Sequence, residues 1–444
     1  MLPPARARFL AVLYAAALAY LSLIPLQFRP LPLGEAWHRF AAIPFLPLGL
    51  LDRADWVANL VAYVPLGLLL AASLGARGRR FSVAGFAAAV TIAALFAVTI
   101  EFAQLFFAPR TVSLNDLLAQ LLGAAAGASL WPAVRGRFEA WARALVAGGT
   151  RSVRALLWAY SIAYLLLSLF PYDFVVSVDE LVWKLGSDAY GLLFARGQCT
   201  AFLGCSLKLG AEVLAVAPLG WLLASYNSTR ILGGAVFGAA LGLLLEGAQF
   251  LLVSGQSQGV SVIARALGVA LGVALQQRLP AIGVDAAIRW GRAVSIAGIP
   301  PYLLLLAYAS GWMGATPVAL GTALQRLPHF NYLPFYYHYY VPEVHAVASA
   351  VAHIALYAPV GIGVWVWLRR QSAGAALAAL VACGLAFVTE LSKALLPAKH
   401  PDFTDVLLAG VSAWTVFRAL QLATASGSQA SVGAPRVAAA GARP

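Results

Sequence analysis

The sequence predicts an all-α integral membrane protein of about 12 transmembrane helices, arranged as three parallel four-helix repeats. The composition is too apolar for a water-soluble protein, because 61% of the 444 residues are hydrophobic and only 11% are charged. Apolar segments reach the length of about 20 residues that crosses roughly 30 Å of hydrocarbon. In addition, a series of sequence landmarks occurs three times at a nearly constant spacing.

The apolar segments are expected to be helices, since lipid offers no hydrogen-bond partner to an open backbone. The first segment follows basic residues, as in a signal peptide, but no small-residue cleavage site comes after it. Its ending, 22–28, resembles 168–174 inside the chain, so we interpret it as a membrane helix. The predicted spans are 9–26, 57–75, 83–105, 113–132, 155–171, 207–225, 231–252, 259–276, 297–313, 347–367, 374–393 and 404–422.

The net charge of +13 is distributed as a membrane topology signal and does not indicate a nucleic-acid partner. With the N-terminus inside, 19 of the 30 basic residues fall in the termini and in the connections on the same side, where the only acids are Glu139 and Asp285. Basic residues concentrate on the cytoplasmic side of membrane proteins. We therefore expect both termini in the cytoplasm, Arg110, Arg196 and Lys399 outside, and contact with membrane lipids. The sequence leaves the oligomeric state open.

Two landmarks define the repeat. A Pro-Leu-Gly-like motif begins at Pro65, Pro218 and Pro359, at spacings of 153 and 141 residues. A glutamate follows each motif, and the spacings of the glutamates are 145 and 144 residues. The predicted units are 1–134, 135–280 and 281–422, with a disordered cytoplasmic tail, rich in Ala, Gly and Ser, at 423–444. Because four is an even number, successive units enter the membrane in the same orientation.

The glutamates, Glu101, Glu246 and Glu390, lie near the outer ends of predicted spans. An unpaired carboxylate inside a membrane costs several kcal/mol, so each needs a partner or a function. Stepping back four residues at a time from each glutamate meets only Ala or Gly. Such a stripe lets a neighbouring helix approach closely, which would turn the carboxylate toward the bundle.

Four residues of the first unit form a candidate polar cluster. Gln104 lies one turn beyond Glu101, Arg110 follows in a short loop, and Asp116 opens the next helix. The arginine could bind a phosphate or carboxylate through its guanidinium. It could equally form a structural ion pair between two helices, with Asp116 acting as an ordinary helix-capping residue.

These residues also resemble a known family, the VanZ-like membrane proteins of bacteria. The resemblance rests on Asn59, Tyr63-Val64-Pro65-Leu66-Gly67, Glu101, Gln104, Arg110, Asp116, Gln120, Gly123 and Gly127, with Gln120 at a position where the family usually has Asn. A member of the family is linked to resistance against a glycopeptide antibiotic. The resemblance therefore implies the cytoplasmic membrane of a bacterium and a role at the cell envelope, but no established reaction.

The later units depart from this pattern. The second keeps Glu246 and Gln249 but has Gly255, Ser261 and Arg265 in place of Arg110, Asp116 and Gln120. The third keeps Glu390, Lys399 and Asp405, and has His353 in place of Asn59. The candidate cluster thus extends over all three units, and the first matches the family best.

Other residues give weaker signals. Cys199 and Cys205 would form a disulfide in an oxidising compartment, or would serve as small apolar fillers. The histidines of the third outer loop lack the close spacing of metal ligands, so we expect no metal and no cofactor. The aromatic outer loops predict short interfacial or re-entrant segments.

Three functions remain open at this point. In the first, the cluster engages lipids or lipid-linked envelope precursors at the outer face, as binder or enzyme. Twelve helices also suit a secondary transporter, although transporters place their ionisable sites near the midplane. The third alternative is a membrane scaffold without a ligand. No strong catalytic motif decides whether the protein is an enzyme.

Overall fold

The computed structural model describes residues 4–46, 49, 52–75, 82–195, 199, 202–282 and 284–425. The helices of the first predicted unit are α1 (Pro4–Leu23), α2 (Leu33–Ala41), α3 (Asp52–Leu74), α4 (Val83–Gln104) and α5 (Leu114–Val146). Two short strands, β1 (Gln27–Phe28) and β2 (Phe107–Ala108), pair antiparallel and join the end of α1 to the loop between α4 and α5.

The second unit repeats this order. Its helices are α6 (Gly149–Ser168), α7 (Val178–Gly186), α8 (Phe202–Tyr226), α9 (Ile231–Phe250) and α10 (Gly259–Ile282). Strands β3 (Tyr190–Gly191) and β4 (Ser257–Gln258) pair in parallel, and a bridge between Phe174 and Leu252 joins the end of α6 to the loop after α9.

The third unit differs at its start. Its helices are α11 (Val284–Ala297), α12 (Ile299–Ala309), α13 (Leu320–Arg326), α14 (Tyr336–Tyr339), α15 (Glu343–Leu368), α16 (Gly374–Ser392) and α17 (Phe403–Thr424), with 3-10 turns at Leu327–His329 and Lys393–Leu395. α17 extends two residues into the predicted tail, whereas 426–444 lie outside the described residues.

The all-α membrane class is confirmed. The described residues contain ten helices that are long and apolar enough to cross a membrane, or eleven if α11 and α12, bent by 53°, count as one span. The predicted span 155–171 corresponds to α6, which is long enough but is not among these candidates. Arg151 and Arg154, near the start of α6, lower its apolar character.

The loops that follow α1, α6 and α12 contain the short helices α2, α7 and α13, respectively. Two of these helices are held by a basic side chain that donates to backbone carbonyls. Lys184 of α7 is fully buried and donates to the carbonyls of Val253 and Gly255. Arg326 of α13 donates to the carbonyl of Ala394 at 2.8 Å and to those of three later residues. These bonds fix α7 and α13 to the segments that follow α9 and α16.

A glycine in each Pro-Leu-Gly-like motif permits close helix packing. A Cβ atom on Gly67 of α3 would lie 2.0 Å from the carbonyl oxygen of Ala124 on α5. Corresponding contacts join Gly220 to Val269 at 2.1 Å and Gly361 to Ala413 at 2.6 Å. The three carbonyl residues are themselves 145 and 144 residues apart, which equals the spacing of the glutamates. This agreement supports three related units, although the division itself stays a prediction.

The three units also contact one another in every pairing. Arg53 of α3 forms a two-bond ion pair with Glu180 of α7, at 2.7 and 3.0 Å, and the hydrogen bond from Arg53 lowers the pKa of Glu180 to about 2. Helix α6 packs against α17. The hydroxyl of Tyr20 on α1 donates to the carbonyl of Pro334 at 2.9 Å. Contacts between all pairs are what a closed threefold arrangement requires.

We expect Gly67→Ala to destabilise the protein by about 1–3 kcal/mol, since the added methyl overlaps the backbone of α5. Gly363→Ala, on α15, is the matched control, because nothing lies within 4 Å of its Cβ position. It should leave the melting temperature unchanged or raise it, since Ala favours a helix more than Gly. Thermal unfolding of both purified variants measures the difference, and equal melting temperatures would contradict the packing described for α3 and α5.

Candidate functional site

Three buried carboxylates lie at one end of the helix bundle, which we call the polar end: the end at which α4, α9 and α16 finish. Glu101, Glu246 and Glu390 are 1%, 6% and 2% exposed. The small residues that precede them on each helix are also buried: Ala89, Ala93, Ala97, Gly234, Gly238, Gly242, Ala378, Ala382 and Ala386. Each carboxylate therefore points into the protein and not into lipid.

In the first unit the carboxylate is bound by an amide. Oε1 of Glu101 accepts a hydrogen bond of 2.8 Å from Nε2 of Gln120 on α5. Oε2 of Glu101, Oε1 of Gln120 and the hydroxyl of Tyr63 on α3 are buried without a hydrogen-bond partner. No cationic nitrogen of the described residues is in ion-pair contact with Glu101.

The neighbouring residues of the cluster make structural hydrogen bonds. Asp116 accepts from Asn59 of α3 at 2.9 Å and from the hydroxyl of Ser113 at 2.8 Å, while Ser113 caps the start of α5. Nε2 of Gln104 donates to the carbonyl of Ser22 at the end of α1, at 2.9 Å. Together these bonds join α1, α3, α4 and α5 at the polar end.

Arg110 does not form the expected ion pair with Glu101 or Asp116. Its guanidinium lies over the ring of Tyr339 on α14, with 4.9 Å between the guanidinium carbon and the ring centroid. Its Nε is buried without a hydrogen-bond partner. The arginine of the first unit thus lies against the third unit and keeps hydrogen-bonding capacity unused.

A cavity lies beside the ring of Tyr339. Its volume is about 270 Å³, and Tyr339, the residue under Arg110, is part of its wall. The other lining residues are Leu21 and Ile24 from the end of α1, Phe335 and His338, and Ala346, Val347 and Ala350 of α15. The cavity is therefore an apolar space between the first and third units, with Arg110 and His338 as its polar neighbours.

In the second unit an arginine, Arg265, occupies the position that corresponds to Gln120. This arginine forms a buried ion pair with Oε1 of Glu246 and donates to the hydroxyl of Tyr164 at 3.2 Å. The backbone N–H of Gln258 donates to Oε2 of Glu246. Gln249 donates to the carbonyl of Ser168 at 2.9 Å, as Gln104 does to Ser22. Both oxygens of Glu246 are thus satisfied.

The third unit uses a lysine. Nζ of Lys393 lies 2.6 Å from Glu390 and 3.5 Å from Asp405, and the backbone N–H of Asp402 donates to Oε2 of Glu390 at 2.9 Å. Nε2 of His353 lies 3.0 Å from Asp405. By contrast, Lys399 is exposed, and it lies apart from this cluster. Of the third-unit candidates, the structure brings together His353, Glu390 and Asp405.

Oxygen and nitrogen atoms of His353, Glu390 and Asp405 lie within 4.8 Å of one another, a spacing that a metal ion could bridge. Lys393, however, already places an ammonium group between the two carboxylates. A metal ion there would meet a like charge, so this geometry suits an ion-pair network better than a metal centre.

His338 and His400 surround a second polar group, Asp402, just before α17. Nδ1 of His338 lies 3.3 Å from Asp402, and the ring of His400 stacks on Tyr337 at 3.6 Å. Burial disfavours the charge of Asp402, but the neighbouring imidazole of His338 and hydrogen bonding from Thr404 outweigh it and lower the pKa of Asp402. Burial also lowers the pKa of His400, which favours its neutral ring.

The sequence interpretation missed several residues of this geometry. Lys393 was not among the candidate residues, although its position three residues after Glu390 places it on the same helix face. Tyr63 and Gln120 entered only through the family resemblance. The contact between Arg110 and Tyr339 joins residues more than two hundred positions apart, and no local sequence pattern predicts it.

Lys393→Gln should lower stability by about 3–5 kcal/mol, because it leaves Glu390 buried without its cation. Lys399→Gln, on the exposed loop beyond it, is the control and should change stability by no more than about 0.5 kcal/mol. Chemical or thermal unfolding of the purified proteins compares the two. A greater effect of the Lys399 substitution would mean that the assignment of the cation is wrong.

Comparison with known proteins supports the identity of the first unit. Residues 10–135 match the model of the VanZ/LLP1 family, a segment that includes Asn59, Glu101, Arg110 and Asp116. Neither the curated proteins nor the solved structures contain a match to the chain. Residues 10–135 of this polytopic membrane protein are therefore similar to the VanZ/LLP1 family.

Proposed function

We propose that the protein acts at the outer face of the bacterial cytoplasmic membrane, in a cell-envelope process, by binding the anionic headgroup of a lipid or lipid-linked precursor at its polar end. The observation that carries this proposal is Arg110, a cation without a carboxylate contact beside an apolar cavity. A guanidinium stays charged at any physiological pH and can bind two oxygens of one phosphate or carboxylate.

The surroundings of Arg110 suit an amphipathic ligand. The cavity wall is apolar except for His338 and Tyr339, so it favours a hydrocarbon chain. The headgroup would then meet Arg110 at Tyr339, while the chain enters the space between α1 and α15. Nε2 of His338 has no hydrogen-bond partner and offers a second polar contact for the headgroup.

Two features support an outward orientation of the polar end. Cys199 and Cys205, in the connection between α7 and α8, form a disulfide, and disulfides persist mainly outside the reducing cytosol. The same connection contains β3, which pairs with β4 directly before α10, at the polar end. The distribution of basic residues favours the same orientation.

The alternative functions have less support. Secondary transporters place their coupling residues near the middle of the membrane, whereas Glu101, Glu246 and Glu390 lie in the last turns of their helices. A scaffold without a ligand would leave the unused hydrogen-bonding capacity of Arg110 unexplained. Lipid binding accounts for both the cation and the cavity.

Arg110→Ala should weaken the binding of an anionic phospholipid by roughly tenfold to a hundredfold, the effect of losing a hydrogen bond to a charged group. Titration of the purified protein with phosphatidylglycerol, followed by native mass spectrometry, measures this, and phosphatidylcholine reports binding that does not depend on headgroup charge. Protein abundance should remain normal, since Arg110 makes no ion pair with Glu101 or Asp116.

Arg39→Ala is the matched control, because Arg39 forms only an exposed ion pair with Glu35 on α2. It should retain the affinity of the native protein. Equal affinities for the Arg39 and Arg110 variants would contradict the proposal, and lost abundance of the Arg110 variant would assign the arginine a structural role. Lipidomics of a strain that lacks the protein, complemented with each variant, then tests the envelope role.

Single cysteines introduced into a protein without native cysteines test the topology. A cysteine at His38, on α2, should react with a membrane-impermeant maleimide in intact cells, whereas one at Ser228, between α8 and α9, should react only after lysis. Both side chains are exposed, so accessibility within the protein does not bias the comparison. The reverse pattern would place the polar end in the cytoplasm. Arg196, also predicted to be outside, lies beyond the described residues.

A further inference from the structure

The three glutamates differ in the hydrogen bonds that their second carboxylate oxygen receives. Oε2 of Glu246 accepts from the backbone N–H of Gln258, and Oε2 of Glu390 accepts from that of Asp402. Both donors lie twelve residues after the glutamate. The corresponding residue of the first unit is Ser113, and its backbone N–H makes no such bond with Glu101. Oε2 of Glu101 is buried without a partner.

The three glutamates also differ in whether a cation contacts them. Glu246 contacts Arg265 and Glu390 contacts Lys393, so two of the glutamates are bound as anions. Glu101 contacts only the neutral amide of Gln120. A buried carboxylate without a cation is strongly disfavoured in the ionised form, and a bound water would satisfy one oxygen without neutralising the charge.

We infer that Glu101 holds a proton and forms an acid–amide pair with Gln120, so that the first unit contains a proton-binding site. The proton resides on Oε2 of Glu101 and is donated to Oε1 of Gln120. Nε2 of Gln120 donates in return to Oε1 of Glu101, which is the 2.8 Å hydrogen bond already described. The pair satisfies both of the oxygens that otherwise have no partner.

Charged groups on two neighbouring helices and on one loop lie near this pair. They are Asp116 on α5, Asp55 on α3 and Arg110 on the loop after α4, while the hydroxyl of Tyr63 on α3 is also close enough to interact electrostatically. Two further carboxylates and one guanidinium therefore surround Glu101. Release of the proton from Glu101 would add a negative charge near Arg110. The protonation state of Glu101 is thereby coupled electrostatically to Arg110.

Infrared spectroscopy of the purified, full-length protein tests the inference through the C=O band of a protonated carboxyl group. We expect Glu101→Gln to remove such a band. Glu246→Gln, at the corresponding position of the second unit, is the matched control and should remove none, since Glu246 is paired with Arg265. A native spectrum with no carboxylic-acid band that depends on Glu101 would overturn the inference.

Thermal unfolding provides a second measurement. Glu101→Gln should keep the melting temperature close to the native value, because an amide reproduces the neutral hydrogen bonds of the acid. Glu246→Gln should lower it clearly, because Arg265 is then buried without its anion. A melting temperature that depends on Glu101 and on added Na⁺, Mg²⁺ or Ca²⁺ would assign the site to a metal cation and overturn the inference.

Gln120→Arg keeps the test decisive if Glu101→Gln fails to fold. This substitution introduces the residue that the second unit already has at this position, where it pairs with Glu246. Glu101 should then ionise, and the carboxylic-acid band should disappear from a protein that retains the glutamate. A band that persists in a folded Gln120→Arg variant would show that the proton does not belong to Glu101.

Discussion

The constraint on which the polar end depends is the burial of one carboxylate in the last turn of each glutamate-bearing helix. An ionised carboxylate inside a membrane protein requires partners for its charge and for both of its oxygens. The units meet this requirement in different ways. Arg265 supplies a guanidinium in the second unit, from the helix after the one that carries Glu246. Lys393 supplies an ammonium in the third, from the turn directly after the helix that carries Glu390. The first unit supplies only the amide of Gln120.

Close helix packing brings the polar side chains of neighbouring helices into contact at the polar end. Because Gly67, Gly220 and Gly361 have no side chain, α3, α8 and α15 approach the backbones of α5, α10 and α17. That approach brings Asn59 to Asp116 in the first unit and His353 to Asp405 in the third. In membranes such small residues provide much of the contact between helices, since lipid is as apolar as the side chains it would replace. The glycines thus determine where the polar side chains meet.

Much of the fold could be predicted from the sequence, because membrane helices depend on length, apolar composition and a few small residues. Most of the predicted spans correspond to observed helices, although α5 continues to Val146, well beyond the predicted end at 132, and α6 is not among the candidate membrane spans. The bend between α11 and α12 coincides with a Gly-Ile-Pro-Pro sequence. The ion-pair partner of Glu246 could also have been inferred from the repeat spacing. Arg265 stands one landmark spacing after Gln120, and exchange of an amide for a cation at a shared position suggests an ion pair.

The candidate site was less predictable, because side-chain contacts between units depend on the tertiary arrangement. Sequence spacing suggested that Arg110 would pair with Glu101 or Asp116, since all three lie within one helical hairpin. Asp116 is instead engaged by Asn59 and Ser113, and Arg110 lies over Tyr339 of the third unit. Lys399 was chosen as the counterpart of Arg110 by position alone, whereas Lys393 reaches the carboxylates because it lies one helical turn beyond Glu390.

The distribution of charge among the units indicates how their roles differ. In the second unit a buried arginine and a backbone N–H satisfy Glu246, so that carboxylate has no capacity left for a ligand. The first unit retains Arg110 without an ion pair, and the third contributes His338 and Tyr339 to the cavity, with the ring of Tyr339 under Arg110. A cation with unused hydrogen-bonding capacity therefore lies where the first unit meets the third. A ligand that bound there would contact the first and third units at once. Such a site is compatible with the fixed ion pair between Glu246 and Arg265 in the second unit, which lies elsewhere in the same bundle.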